Sequence, residues 1–266
     1  MTPDEANARF WDELCGTGLA RSLGIVELNR ESLARFDAAY LAYYPYLAGI
    51  VERVGLPGHR VLEIGLGFGT ITEYAARRAG EFDGVDIAAG PVALARRRLE
   101  FIGSPPDRVI RASALELPYP DATFDGVISI GALHHTGDLP RAIDEVWRVL
   151  QPGGRAVVMV YNAHSLRRLM FIGRRRLATL AHRPGGPTDA DLRAAYDPRT
   201  DGSGAPHTDF VSGAEARRLF RRFSTVSLER RNFDPYRFGR RSLRRSWFLH
   251  GIDRWLGLDL YVVAVK

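Results

Sequence analysis

The sequence holds a single cysteine, Cys15, among its 266 residues. No intrachain disulfide can form, and with no secretory leader in evidence the chain reads as cytoplasmic. No apolar run approaches the ~20 residues that a membrane-spanning helix needs. Lysine is almost absent, so arginine supplies nearly all the positive charge behind a net +6. Such a bias reads as solvated surface and leaves a nucleic-acid partner as a secondary reading. Internal repeats are missing as well, which excludes a solenoid or a propeller. What remains is ordinary in amount. The chain is 45% hydrophobic, compatible with one large domain or with a domain plus a cap.

The informative stretch is Val61-Leu62-Glu63-Ile64-Gly65-Leu66-Gly67-Phe68-Gly69-Thr70. A short apolar run reads as a buried strand that ends near an acid. Three glycines follow at every second position, and then a helical segment predicted over 71–78. Glycine lets the backbone pass close to a ligand where a Cβ would collide, and the helix start offers unpaired N–H groups. A dinucleotide fingerprint would end G-x-x-G, whereas this turn is spaced G-x-G. Glu63 suits a ligand that carries positive charge better than a pyrophosphate.

A second short strand, Phe82-Asp83-Gly84-Val85-Asp86, also ends in an acid. Asp86 stands where α/β nucleotide sites set a carboxylate against ribose hydroxyls. Further on come Ala112-Ser113-Ala114-Leu115-Glu116-Leu117-Pro118-Tyr119, then Phe124 to His135, then Trp147-Arg148-Val149-Leu150-Gln151-Pro152-Gly153-Gly154. In this order and spacing the chain resembles the class I S-adenosylmethionine (SAM)-dependent methyltransferases, specifically their small-molecule branch. The resemblance is close over residues 60–161 and loose to the C-terminus.

That resemblance implies a Rossmann-like, doubly wound, seven-stranded sheet, mostly parallel with an antiparallel last strand. It divides the chain into an N-terminal helical lid segment (1–58), a SAM-binding core (59–161), an inserted substrate cap (162–211) and the C-terminal part of the core (212–266). Ser212 and Glu215 read as a capping box that opens a helix through Phe223. The implied cofactor is SAM. Gly65, Gly67 and Gly69 would line its methionine part, and Glu63 would lie near its amino group. Asp86 would hold the ribose, and Ile87 would pack on the adenine. Ser113 stands where the family often has an Asp bonding the adenine amine, so the contact would pass to the backbone N–H of Ala114 or Leu115. Ile130 and Gly131 would floor the cleft.

Catalytic candidates are His135, His134 and His207. A histidine beside the transferred methyl could deprotonate the acceptor, since its pKa lies near neutrality. A structural role for the paired histidines is the alternative, and positioning alone the third. Tyr40 and Tyr44, with Tyr43, Tyr46, Phe10, Trp11 and Phe36, could cover an aromatic acceptor or simply pack. The segment 166–180 sets Leu166, Leu169, Met170, Gly173, Leu177 and Leu180 on one helical face and Arg167, Arg168, Arg174 and Arg175 on the other. Such a helix could touch a membrane surface peripherally, bind an acidic substrate, or cap the cleft with a solvated face. The expected reaction is methyl transfer to an O, C or N atom of a small, apolar or aromatic metabolite. The rival readings are a nucleic-acid methyltransferase, on pairs such as Arg217-Arg218 and Arg221-Arg222, and a SAM-binding scaffold without turnover. No metal site is expected.

Overall fold

The computed structural model describes residues 2–14, 17–181, 186–199, 201–235, 237–238, 241–242, 245–249 and 251–266; Cys15 lies outside these. Four helices come first: α1 (Pro3–Leu14), α2 (Thr17–Ser22), α3 (Arg30–Tyr43) and α4 (Leu47–Val51). The core follows with β1 (Arg60–Ile64), α5 (Thr70–Ala76), β2 (Glu81–Asp86), α6 (Ala89–Ile102), β3 (Val109–Arg111), β4 (Phe124–Ile130), α7 (Leu139–Val149) and β5 (Leu150–Asn162). Next come α8 (Leu166–Leu180), α9 (Asp189–Tyr196), β6 (Phe210–Val211), α10 (Gly213–Leu219) and β7 (Thr225–Arg231). A small hairpin of β8 (Arg237–Phe238) and β9 (Arg241–Ser242), then α11 (Asp253–Leu256) and β10 (Asp259–Val265), complete the described chain.

The main sheet runs β3-β2-β1-β4-β5-β10-β7, with two-residue β6 extending beside the end of β5. The β1–β2, β1–β4, β2–β3 and β4–β5 pairings are parallel, while β10 runs antiparallel to both β5 and β7. This is the seven-stranded, doubly wound sheet that the resemblance implies, plus the short β6. Side chains alternate faces along each strand, so the sheet feeds two cores. Leu62, Val127, Val158, Leu260 and Val262 enter one. Val61, Ile128, Val157, Met159 and Tyr261 enter the other.

Local chemistry explains the helix boundaries. Asp138 caps α7 by accepting from the Arg141 N–H, and proline stands in its first turn. Gly103, at positive φ, ends α6. The predicted 71–78 helix is the shorter α5, and the helix predicted through Phe223 stops at Leu219. The next residue, Phe220, is turned into the core beside Phe223. Ser212 does accept from the Glu215 N–H at 3.1 Å.

One residue ties the layers together. Arg98 of α6 is fully buried, and its guanidinium meets Asp37 of α3 at 2.8 Å and Glu73 of α5 at 3.0 Å. Its Nε donates to the Phe68 carbonyl in the glycine turn at 2.8 Å. Removing one partner of such a buried pair typically costs about 3–5 kcal/mol, because the other charges stay desolvated. Arg98→Ala should therefore lower unfolding free energy by about that amount in urea titrations. Arg98→Lys should recover only part of it, since an ammonium cannot reproduce the planar fork. A loss under 1 kcal/mol for the alanine variant would sink this account.

Candidate active site

In a sheet of this topology the parallel strands end at one edge, and an antiparallel strand begins there. Ile64, Asp86 and Ile130 close β1, β2 and β4, Tyr161 is the last residue but one of β5, and Asp259 opens β10 opposite Tyr161. The turn after β1 carries Gly65, Gly67 and Gly69, all at positive φ. A Cβ on Gly65 would come within 2.2 Å of the Ala132 Cβ, so only glycine fits. A Cβ on Gly67 would meet no protein atom, although Gly67 borders two cavities.

Three cavities adjoin at this edge. The first, of about 220 Å³, is lined by Gly65, Gly67, Asp86, Ile87, Ser113 and Ala114 along with Ile130 and Gly131. The second, of about 660 Å³, runs along Glu63 and the turn through Gly69, with Phe36, Tyr40, Tyr43 and Tyr44 across from them. The third, of about 260 Å³, is walled by Tyr40, Tyr43, Tyr44, Tyr161, Tyr196 and Tyr261, with Asp259 among them. Ile130 borders all three, and Gly131 borders the first and third. Leu115 lines a neighbouring cavity of about 440 Å³ with Ser113 and Thr136, and its N–H is taken by the Ser113 hydroxyl at 3.2 Å.

The N-terminal segment helps to close the first cavity. Asp4, Asn7 and Trp11 of α1 form part of its wall. Asn7 donates to the His135 carbonyl at 2.8 Å, and Trp11 stacks on the His135 ring at 4.6 Å. Asp12 accepts from the Gly90 N–H, in the first turn of α6. Sequence reasoning missed Asp4 and Asn7, because nothing local marks them.

The electrostatics divide the acids from the histidines. Glu63 is buried with the Thr72 hydroxyl on its Oε2 at 2.6 Å, and burial lifts its pKa to about 8. Asp86 accepts from the Leu66 N–H at 2.8 Å and the Ala88 N–H at 2.9 Å; burial raises its pKa and these bonds counter the rise. Asp197, at the end of α9, accepts from the Tyr161 hydroxyl at 2.8 Å and is lifted by burial to about 7. Burial also lifts Asp259 to about 7, and its Oδ2 has no hydrogen-bond partner among the described residues.

The histidines move the other way. His134 is fully buried, packs against Tyr161 and His135, and borders none of the three cavities; burial drives its pKa well below 6.5. His135 does border the first cavity, but burial takes its pKa to about 4. Its Nδ1 lies 2.8 Å from the His207 carbonyl. A carbonyl only accepts, so Nδ1 carries the proton and Nε2 is the bare nitrogen, 3.7 Å from Asp197 Oδ2. His207 meets the site through that carbonyl, while its ring turns to Asp209 at 3.0 Å, away from the three cavities. The structure thus brings His135 to the site, keeps His134 and the His207 ring out of it, and adds Tyr161, Tyr196, Asp197 and Asp259.

A family model described as a methyltransferase domain matches residues 62–158. A demethylmenaquinone methyltransferase from Symbiobacterium thermophilum is 37% identical over 109 residues, which are 39% of this chain and 43% of that protein. A ubiquinone biosynthesis O-methyltransferase from Pseudomonas fluorescens is 35% identical over 114 residues, 42% of this chain and 49% of that one. The chain spans about half the length of these curated relatives. The crystal structure of a SAM-dependent methyltransferase from Mesorhizobium loti shares the fold at 20% identity, with a TM-score of 0.53 over 85% of this chain and 98% of that one. The glycine turn, the acid that ends the second strand and the reversed last strand all sit within this shared architecture. Residues 62–158 thus carry a methyltransferase domain, set in the fold of the solved SAM-dependent methyltransferases.

Proposed function

We propose that this chain moves the methyl group of SAM to an oxygen, carbon or nitrogen atom of a small, apolar or aromatic metabolite. The observation that carries the reading is the meeting of two unlike cavities at Ile130 and Gly131. One has a ribose-type carboxylate and a glycine turn. The other is walled by tyrosines around a buried acid. Relatives named for demethylmenaquinone and for ubiquinone biosynthesis support a small-molecule acceptor.

The residues fit the cofactor. Open space above Gly67 leaves room for a ligand chain that any side chain there would fill. Glu63 offers a buried carboxyl to an ammonium. Asp86 closes β2 and lines the first cavity beside Ile87, and we assign it the ribose hydroxyls. Ile87 packs on the adenine. With the Leu115 N–H used inside its own turn, the Ala114 N–H is assigned to the adenine edge, beside Ser113. SAM bound there supplies a methyl group already activated by its sulfonium.

The remaining work is alignment and exclusion of water, and alignment alone contributes about 7–11 kcal/mol in favourable cases. Burial keeps Tyr40, Tyr44, Tyr161 and Tyr261 of the third cavity neutral, with pKa values raised above 10. They offer ring faces and hydroxyls to the acceptor. When the acceptor must lose a proton, we assign the base to Asp259 through its unpartnered Oδ2. A general base works best with a pKa near the operating pH, and the buried histidines stay neutral and weakly basic.

Three measurements test this. By calorimetry SAM should bind the wild-type protein, and Asp86→Ala should weaken it by about 1–3 kcal/mol; an absence of wild-type binding ends the reading. Binding near pH 7 should also release about one proton, because a Glu63 carboxyl that is mostly protonated in the free protein ionises against the ammonium. Affinity should rise with pH toward 8 and level off there, where free Glu63 is already ionised. Glu63→Gln should abolish the release, seen by comparing buffers of different ionisation enthalpy. Finally, labelled SAM incubated with metabolite extracts should yield a methylated small molecule. With that acceptor Asp259→Asn should slow transfer about 10²–10⁴-fold at unchanged SAM affinity. If His135→Ala, His134→Ala or His207→Ala shows that loss instead, the base is a histidine.

A further inference from the structure

The amphipathic pattern of 166–180 forms α8 as predicted, but its apolar face is turned outward. No residue of this helix is buried. Leu169, Met170, Leu177 and Leu180 stand exposed, the last two at 67% and 76%. At 100° per residue they share one stripe with Leu166 and Gly173. A Cβ on Gly173 would meet nothing within 4 Å, so the middle of the stripe is open. Arg174 and Arg176 flank the stripe on either side, and both are exposed.

The opposite side of α8 holds the helix to the body. Arg167 Nε donates to Asp234 Oδ2 at 2.7 Å and its Nη1 to the Ala195 carbonyl at 2.7 Å. Arg168 donates to the Ala163 carbonyl at 2.8 Å and lies over the Phe210 ring. The first turn is therefore pinned, and the apolar stripe is left exposed, most of all at Leu177 and Leu180. No acid occurs from Leu166 to Pro187.

A second exposed cluster has the same make-up. Trp247, Ile252 and Trp255 stand out in the segment before β10, Trp255 at 77%. Arg254 beside them is exposed, while the acid of that stretch, Asp253, is buried. This segment hangs on the same short loop as α8. Arg245 donates to Asn232 Oδ1 at 2.8 Å and to the Phe233 carbonyl at 2.9 Å, next to the Asp234 that holds Arg167.

We infer that α8, together with the Trp247–Trp255 cluster, docks the protein on the surface of an anionic phospholipid bilayer. Apolar side chains flanked by arginines match the boundary between acyl chains and negative headgroups. Exposed tryptophan favours that same boundary. No helix among the described residues is long and apolar enough to cross a membrane, so the contact is peripheral. A second copy of the chain fits the face less well. Its own arginines would meet these arginines, with no exposed acid on α8 to answer them. Arg167 and Asp234 also border the tyrosine-walled cavity. Loading that cavity from the bilayer rests on the proposed acceptor site; the docking itself does not.

The test is co-sedimentation of the full chain with vesicles of phosphatidylcholine alone or mixed with phosphatidylglycerol. Binding should require the anionic lipid and weaken as salt is raised. Leu177→Asp with Leu180→Asp should lower partitioning at least ten-fold, as should Arg174→Glu with Arg176→Glu. Both variants should keep wild-type circular dichroism and SAM affinity. Tryptophan emission should shift to the blue on vesicles, and less so in Trp255→Ala. Equal binding to both vesicle types, no binding at low salt, or unchanged partitioning of the two double variants each overturns the proposal. So does a wild-type dimer in sedimentation velocity that the leucine variant dissolves, since a second copy would then own the face. Because SAM calorimetry is read separately, a failure of vesicle binding leaves the methyl-transfer reading standing, and the reverse holds too.

Discussion

A guanidinium with no access to solvent must have all its bonds met inside the protein, and Arg98 meets them from three separate stretches of chain. The Phe68 carbonyl comes from the glycine turn, Glu73 from α5 and Asp37 from α3. Thr70 adds its hydroxyl to Asp37 at 2.6 Å. This constraint reaches back into the sequence. A Cβ on Gly69 would stand 2.6 Å from the Arg98 Cδ, so the third glycine makes room for the arginine stem as well as for a left-handed turn. It also reaches forward to the site. Tyr40 and Tyr43 lie on α3, within two turns of Asp37, and Tyr44 follows directly. The spacing between the glycine turn and the tyrosine wall therefore depends on one buried cation and the acids it holds.

Charge in the cavities themselves is arranged in the opposite sense. Glu63, Asp197 and Asp259 are buried with no arginine in direct contact, and each is pushed toward neutrality. Such carboxyls hold a proton until something positive arrives or a nearby group needs one removed. The two neighbouring histidines, the usual candidates for that task, are held neutral and weakly basic by the same burial. Burial raises acids and lowers bases, so a dry pocket at neutral pH gives the titratable role to carboxyls.

How far the site was legible in the sequence follows from which constraints are local. Glu63, the three glycines and Asp86 could be read because a strand end, a left-handed turn and a second strand end leave backbone signatures within a few residues. Asp259 was legible in principle. An acid that opens an otherwise apolar strand lies at the cofactor edge once that strand is reversed, and the reversal was expected. Asp197 carried no such mark, because a helix outside the sheet delivers it to Tyr161. His134 misled for a related reason: residues adjacent in a tight turn point to different places, and only His135 faces a cavity. The α8 pattern gave the helix and its stripe correctly. Periodicity defines two faces but does not say which one the protein covers, and here Asp234 and Ala195 hold Arg167 in the first turn while the apolar stripe stays outward.

The division between what the relatives share and what this chain owns follows the same line. The matched segment, 62–158, contains Glu63, the glycine turn, Asp86, Ser113, Ile130 and Gly131. Tyr40, Tyr44, Tyr161, Tyr196, Asp197 and Asp259 all lie outside it. They come from the N-terminal helices, the end of β5, the insertion and the reversed strand. The tyrosine wall is thus built from parts of the chain outside the matched segment, on a scaffold that accommodates many chemistries. A relative's acceptor does not transfer by name across such a boundary. On the function proposed above, the acceptor is sought from the wall itself, as a molecule that fills a tyrosine-lined space and presents its reacting atom to Ile130 and Gly131 within reach of Asp259 Oδ2.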